Sequence, residues 1–215
     1  MTKLVLIRHG ESNATVERRI GGPLTCTGLS PLGRSQALAL GERLARTGEL
    51  TPDVLVSSAY PRARETADLI APSVGDLPVA VEPDLGEHDP GPECDGLTFD
   101  AFVTRYGTPD WETNPYATTF PGGETIAEFQ HRVGAALHRV ATEHDGRTVM
   151  IVCHGGVIDR ALRLLLRTAP TGQFQIHTVN TGLTEFVRVR PDLWRMYRYN
   201  DAAHLAGLPA ETPRD

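Results

Sequence analysis

Residues 4 to 10 read Leu-Val-Leu-Ile-Arg-His-Gly, and this stretch constrains the fold more tightly than any other. A run of branched apolar residues between polar ones has the pattern of a strand buried on both faces. Such strands belong to mostly parallel sheets covered by helices, in which ligands bind outside the strands' carboxyl ends. The run ends at that edge in an arginine, a histidine and a glycine. The histidine can serve as nucleophile or base, the guanidinium suits phosphate oxygens, and Gly10 lets the backbone turn sharply. A hydrogen-bonded structural histidine would read the same way, so the motif needs corroboration.

Residues 148 to 156, Thr-Val-Met-Ile-Val-Cys-His-Gly-Gly, repeat the arrangement far along the chain. If the two strands are neighbours, His9 and His154 share one cleft. Taken alone, His154 could merely precede the helix suggested by Val157 to Leu166. A third segment, Val54 to Leu69, runs from a strand through Ser57-Ser58 into a helix with Pro61 in its first turn. Arg62 would then face the sheet's carboxyl edge, whereas Arg64 reads as a surface residue.

Arg8-His9-Gly10, Ser58 through Ala67 with Arg62, Glu87, and His154-Gly155 together resemble the histidine phosphatase superfamily, the phosphoglycerate-mutase-like proteins. The likeness spans roughly the whole chain, in the family's order. It implies a three-layer α/β/α fold with a mostly parallel central sheet. It also implies that His9 is the nucleophile that becomes phosphorylated. Arg8, Arg62 and His154 would hold the phosphoryl oxygens, with Gly155 beside them, and Glu87 would be the proton donor.

The chemistry is coherent without the family. A phosphoryl group in flight spreads negative charge over three oxygens, so catalysis is mainly positioning and electrostatic stabilisation. Two guanidiniums and an imidazole supply that field, and neither a metal nor a cofactor is expected. The leaving alkoxide needs a proton, which a carboxylic acid can supply before taking one from the attacking water. Glu87 follows the apolar Val79-Ala80-Val81 at a strand-to-loop exit, but Glu82, Asp84, Glu93 and Asp95 are nearby. Glu93 is the alternative acid.

The chain departs from the family on its substrate side. Thr15 stands where members often carry asparagine, with Asn13 displaced by two, and Cys94-Asp95-Gly96 replaces a common Trp-Glu-Gly. The stretch from Arg18 to Leu29, including Gly22, resembles the family's substrate-side loop or is a plain connection. Thr15 and Gly22 are therefore expected substrate contacts.

Composition narrows the classes. At 215 residues one domain is the simplest expectation. The net charge of −6, without a basic block, speaks against nucleic-acid binding. Cys26, Cys94 and Cys153 lack metal-ligand spacing. No apolar run approaches membrane-spanning length, and the first strand begins almost at Met1, so a cytoplasmic protein is expected. Homodimerisation through a sheet edge or a helix face stays open.

The patterns predict strands at 3–8, 53–57, 78–81, 148–153, 183–189 and 194–199. Helices are expected at 31–47, 61–72, 157–167 and from about 125 to 143, with a short one between Thr98 and Tyr106. Residues 86–123 form an irregular insertion over the sheet edge, read as a lid within the single domain 1–215. The tail 202–215 is expected to fray.

A phosphomonoester hydrolase acting on a small phosphorylated metabolite is favoured over a mutase. A mutase must hold a phosphorylated intermediate while it reorients, which calls for extra cations. Between Glu87 and His154 the basic side chains, histidines aside, are Arg105, Arg132, Arg139 and Arg147, and only Arg105 falls in the lid. The aromatic lid, with Phe102, Trp111 and Phe120 among others, suggests a substrate with a non-polar body. A non-catalytic phospho-ligand binder would not need both a nucleophile and an acid. A metal hydrolase would have only His88-Asp89 beside Glu87 to build on.

Overall fold

The computed structural model describes residues 1–212 and places the apolar runs at the centre of a six-stranded sheet. The chain order is β1 (Lys3–Arg8), α1 (Asn13–Val16), α2 (Pro31–Thr47), β2 (Val54–Ser57), α3 (Pro61–Ile70), β3 (Val79–Val81), α4 (Gly91–Cys94), α5 (Phe99–Tyr106), α6 (Ile126–Glu143), β4 (Thr148–Cys153), α7 (Gly155–Leu166), β5 (Leu183–Arg190) and β6 (Leu193–Asp201). Short 3-10 turns lie at Ala71–Val74, Pro83–Leu85 and Ala203–Leu205.

The strand order is β3-β2-β4-β1-β5-β6. The pairs β2–β3, β2–β4 and β1–β4 are parallel, and the hairpin β5–β6 joins β1 antiparallel. Successive residues of the central strands point to opposite faces, so each face acquires its own core. Leu4, Leu6, Val149 and Ile151 pack under α6 and α7 against Phe129, Val133, Val157 and Ile158. Val5, Ile7, Met150 and Val152 pack under α2 and α3 against Leu40, Leu44, Ala63 and Ile70. The expected three-layer α/β/α architecture follows.

This arrangement also creates the crevice. After β1 the chain leaves toward the α2 face, and after β4 toward the α7 face. Neighbouring parallel strands whose connections part to opposite faces leave a gap at their carboxyl ends. The β1–β4 register, Arg8 opposite Cys153, puts His9 and His154 one step beyond the paired residues, with the His9 N–H donating to the Cys153 carbonyl at 2.9 Å.

Local signals set the helix ends. The Ser30 hydroxyl accepts from the Gly33 N–H at 3.0 Å, Pro31 occupies the first turn, and Gly48 closes α2 in the left-handed region at φ 58°. Thr125 and Glu128 cap α6 reciprocally. Leu38, on α2, is 49% exposed and does not join the core. Two helices were not anticipated, α1 and α4, each only four residues long and too short to show a period.

Within residues 86–123, Cys94, Phe102 and Phe120 form a separate small core with Ile20, Val103 and Tyr106 packed on it. The expectation of fraying from residue 202 onward does not hold over 202–212. The Glu211 carboxylate accepts from the Asn180 N–H at 2.6 Å, and the Thr212 N–H donates to Glu11 Oε2 at 2.9 Å. These long-range bonds order the tail despite its Pro- and Ala-rich composition; residues 213–215 of that expectation lie outside the described residues. Among the described residues, no helix is long and apolar enough to cross a membrane.

Candidate active site

Arg8, His9, Arg62 and His154 meet at the carboxyl ends of β1, β2 and β4, and each is at least nine-tenths buried. The His9 ring is fixed on both nitrogens. Nδ1 lies 2.6 Å from the Gly10 carbonyl oxygen, which can only accept, so Nδ1 carries the proton. Nε2 then holds a lone pair, and the Arg62 Nε–H donates to it at 3.0 Å. Burial, together with the Arg62 charge, lowers the His9 pKa to about 3, so the ring is neutral at physiological pH. Arg62 is held in turn by the Gly21 carbonyl at 2.9 Å and lies over the Tyr60 ring.

His154 packs edge-on against His9 with ring centroids 5.1 Å apart. Its Nε2 is 2.7 Å from Ser58 Oγ. Ser58 reaches this place because its N–H continues the β2–β4 ladder, donating to the Val152 carbonyl at 3.0 Å. Burial, then the neighbouring Arg62 charge, holds His154 neutral as well. Arg8 donates through Nη1 to the Thr178 carbonyl. Two buried nitrogens here have no partner, Arg8 Nε and His154 Nδ1. With the Ser58 hydroxyl donating to Nε2, the His154 ring proton sits on Nδ1. Both unpartnered atoms are then donors. Buried donors without acceptors are costly, and an anion resolves that cost.

Glu87 stands across the site. Its Oε2 accepts from the Gly156 N–H at 3.1 Å, in the first turn of α7, and its Oε1 from the His88 N–H at 3.0 Å. Arg132 fixes the backbone around it by donating to the carbonyls of Asp84, Gly86 and Glu87. Glu93, the alternative acid, is exposed on α4, with its carboxylate 3.3 Å from the Tyr106 hydroxyl.

The remaining expected contacts are engaged differently. Thr15 Oγ1 lies 3.0 Å from Ser12 Oγ at the start of α1. The Gly22 N–H donates to Asp95 Oδ1 at 2.9 Å, which ties the 18–29 loop to the substituted Cys94-Asp95-Gly96 segment. Its neighbour Gly21 is the residue that meets Arg62. Gly155 opens α7, where an added Cβ would lie 3.2 Å from Thr178 Oγ1 and 3.5 Å from Arg8 Nε. Arg64 reaches the Val79 carbonyl and Asp68, away from the site.

Sequence reasoning missed several residues. Asn180 Nδ2 donates to the His9 carbonyl at 2.5 Å, and Glu11, accepting from Ser30 and Thr212, braces the loop that follows His9. Thr178 and Asn180 lie in an unpatterned connection, and nothing local marks them. Adjacency to Arg8-His9-Gly10 was the one signal available for Glu11.

Two clefts open from Glu87 and Gly156. One, of about 650 Å³, is bordered by Arg8, Gly155, His177, Thr178 and the tail residues Leu208 to Thr212. The other, of about 370 Å³, runs under the 86–123 segment.

Residues 4–202 match the family model of the histidine phosphatase superfamily, branch 1. The chain is 31% identical to phosphoglycerate mutase-like protein 4 of Arabidopsis thaliana, covering 94% of this chain and 86% of that one. It is 29% identical to a metal-independent phosphoserine phosphatase of the same plant, covering 97% and 85%. Among solved structures, a mycobacterial glucosyl-3-phosphoglycerate phosphatase in complex with VO3 superposes with a TM-score of 0.77 at 28% identity, over 93% of this chain and 98% of that one.

Proposed function

The chain belongs to the histidine phosphatase superfamily, and from that premise we propose that it is a phosphomonoester hydrolase working through a phosphohistidine at His9. One observation carries the reading: a neutral imidazole whose Nε2 lone pair faces a guanidinium, beside the buried and unpartnered Arg8 Nε and His154 Nδ1. A phosphoryl group meets all of these needs at once. Its phosphorus faces Nε2, and its oxygens take the Arg62, Arg8 Nε and His154 Nδ1 protons.

In the first step the Nε2 lone pair forms the N–P bond while the P–O bond to the alcohol breaks, and Glu87 gives its proton to the leaving oxygen. In the second, a water oxygen attacks phosphorus, Glu87 takes the water's proton, and the N–P bond returns its electrons to His9. The guanidiniums and the His154 donor face the charge of both transition states.

Hydrolysis is favoured over mutase chemistry by the fate of the cations. Arg132 and Arg139 are committed to Glu124, Glu82 and Asp84, and Arg105 lies over the Tyr106 ring. A metal-independent route in the cytoplasm fits the same reading. In the candidate metal pair, His88 Nε2 faces the Glu124 carbonyl and Asp89 Oδ1 accepts from the Gly91 N–H. The relatives named above as phosphatases support the assignment of class.

The test is phosphate release from a panel of phosphomonoesters, 3-phosphoglycerate included, with chelator present. Release that vanishes in His9→Ala, with acid-labile phosphate trapped on the wild-type protein by rapid quench, is the expected result. Absence of release, with isomerisation of phosphoglycerate instead, would replace the hydrolase by a mutase.

A further inference from the structure

The cleft beneath the 86–123 segment has walls unlike those of the phosphoryl site. Ile20, Trp111, Phe120, Ile126 and Phe129 make it largely apolar, and Glu87 with Gly156 forms its inner end. It therefore begins at Glu87, and His9 is not among its walls. At about 370 Å³ it has room for a single ring with a short substituent.

One cation borders this apolar space. Arg160, on α7, is 8% exposed. Its Nη1 donates to the Pro170 carbonyl at 2.6 Å and its Nη2 to Asp159, yet its Nε is buried with no acceptor. Asp159 also takes a bond from Arg163 Nε at 3.1 Å, so one carboxylate is shared by two guanidiniums, and Glu87 is the other carboxylate whose charge reaches Arg160. A buried guanidinium donor left without an acceptor beside an apolar cavity is costly unless a ligand supplies one.

Resting on the hydrolase reading, we propose that this cleft is the leaving-group subsite and that it selects phosphomonoesters of ring-bearing alcohols carrying a carboxylate, with Arg160 as the specificity-determining residue. The ring packs on the apolar wall of Trp111, Phe120 and Ile126, the ester oxygen lies at Glu87, and the carboxylate supplies the acceptor that Arg160 Nε lacks. A small polar ester fills neither the apolar walls nor the guanidinium.

The test compares glycerol 3-phosphate, benzyl phosphate and 4-carboxybenzyl phosphate, whose leaving alkoxides are similar in basicity, so that differences report on binding. In wild type, kcat/KM should rise by about tenfold at each step of that series, since about 1.4 kcal/mol corresponds to tenfold and a charge-assisted hydrogen bond exceeds that. Trp111→Ala, at a residue 38% exposed, should lower the benzyl over glycerol ratio. Arg160→Gln should abolish the carboxybenzyl over benzyl ratio, chiefly through KM, and leave glycerol 3-phosphate turnover near wild type. If Arg160→Gln does not fold, Arg160→Lys, which keeps the charge without Nε, should reduce the same ratio. Flat selectivity in wild type, or ratios unmoved by the variants, overturns the subsite while glycerol 3-phosphate turnover still supports the hydrolase. No turnover of any ester by wild type overturns the hydrolase reading itself.

Discussion

At the scale of single residues, the site is organised by which nitrogen carries a proton. Gly10 fixes the His9 tautomer, Ser58 serves His154, and the N–H of Gly156 fixes Glu87 at the head of α7. Each partner is a backbone group or a short hydroxyl on an element end, so little rotamer freedom remains to be lost on binding. Glu87→Gln separates the proposed acid role of Glu87 from its packing, because the amide keeps its shape and loses its proton. Turnover of alkyl phosphates should fall by about 10²–10⁴-fold, whereas p-nitrophenyl phosphate, whose phenolate leaves unprotonated, should lose far less. Equal losses on both substrates, measured as kcat, would move the acid elsewhere.

At the scale of elements, the proposed nucleophile His9 is held by backbone packed on backbone. The loop after β1 lies so close to the first turn of α2 that a Cβ on Gly10 would sit 2.4 Å from the Gly33 carbonyl oxygen. A Cβ on Gly33 would sit 2.0 Å from the Glu11 oxygen. Neither neighbour is a flexible side chain, so the strain has nowhere to dissipate. Gly33→Ala should destabilise the protein by about 1–3 kcal/mol in urea unfolding and lower kcat as well, because the displaced loop carries His9. Thr125→Ala removes the reciprocal cap at the start of α6. It should cost about 1 kcal/mol, read as a shifted urea midpoint with an unchanged m-value.

At the scale of the molecule, burial sets the acid limit. Burial is the main cause that lowers the pKa of His9 to about 3 and of His204 to about 4, and it lowers His88 and His154 as well. In the unfolded chain each titrates near 6.5. Below that pH the unfolded state binds more protons than the folded one, so stability falls as pH drops from about 6.5 toward the folded values. Each buried histidine adds up to about 1.4 kcal/mol per pH unit to the slope. Glu49, lowered to about 2 chiefly by its bond to Arg43, adds loss of the same sign only at more acid pH. Urea unfolding at pH 7, 6 and 5 should show this decline, and His204→Gln should make it shallower. A pH-independent stability across that window would mean that these rings are protonated in the folded state.

The strands and long helices were legible in the chain because their signals are local. Apolar runs and a serine before a proline predicted β1, β4 and α2 with the bounds observed, Lys3–Arg8, Thr148–Cys153 and Pro31–Thr47. The Arg-His-Gly and His-Gly motifs were legible for the same reason, since each is contiguous. Strand order decided what those motifs could not: β1 lies beside β4, and that pairing makes two distant histidines neighbours at 5.1 Å. Thr178, Asn180, Arg160 and the ordered tail became visible only in three dimensions. Their partners are carbonyls, carboxylates and cleft walls far away in sequence, and a hydrogen bond between residues 171 apart, such as Asn180 to His9, leaves no periodic trace along the chain. The sequence by itself determined which segments are buried and where reactive side chains end them. Tertiary structure decided which of those ends converge, because convergence depends on strand order and on contacts between distant loops, and neither is encoded in any window of neighbouring residues.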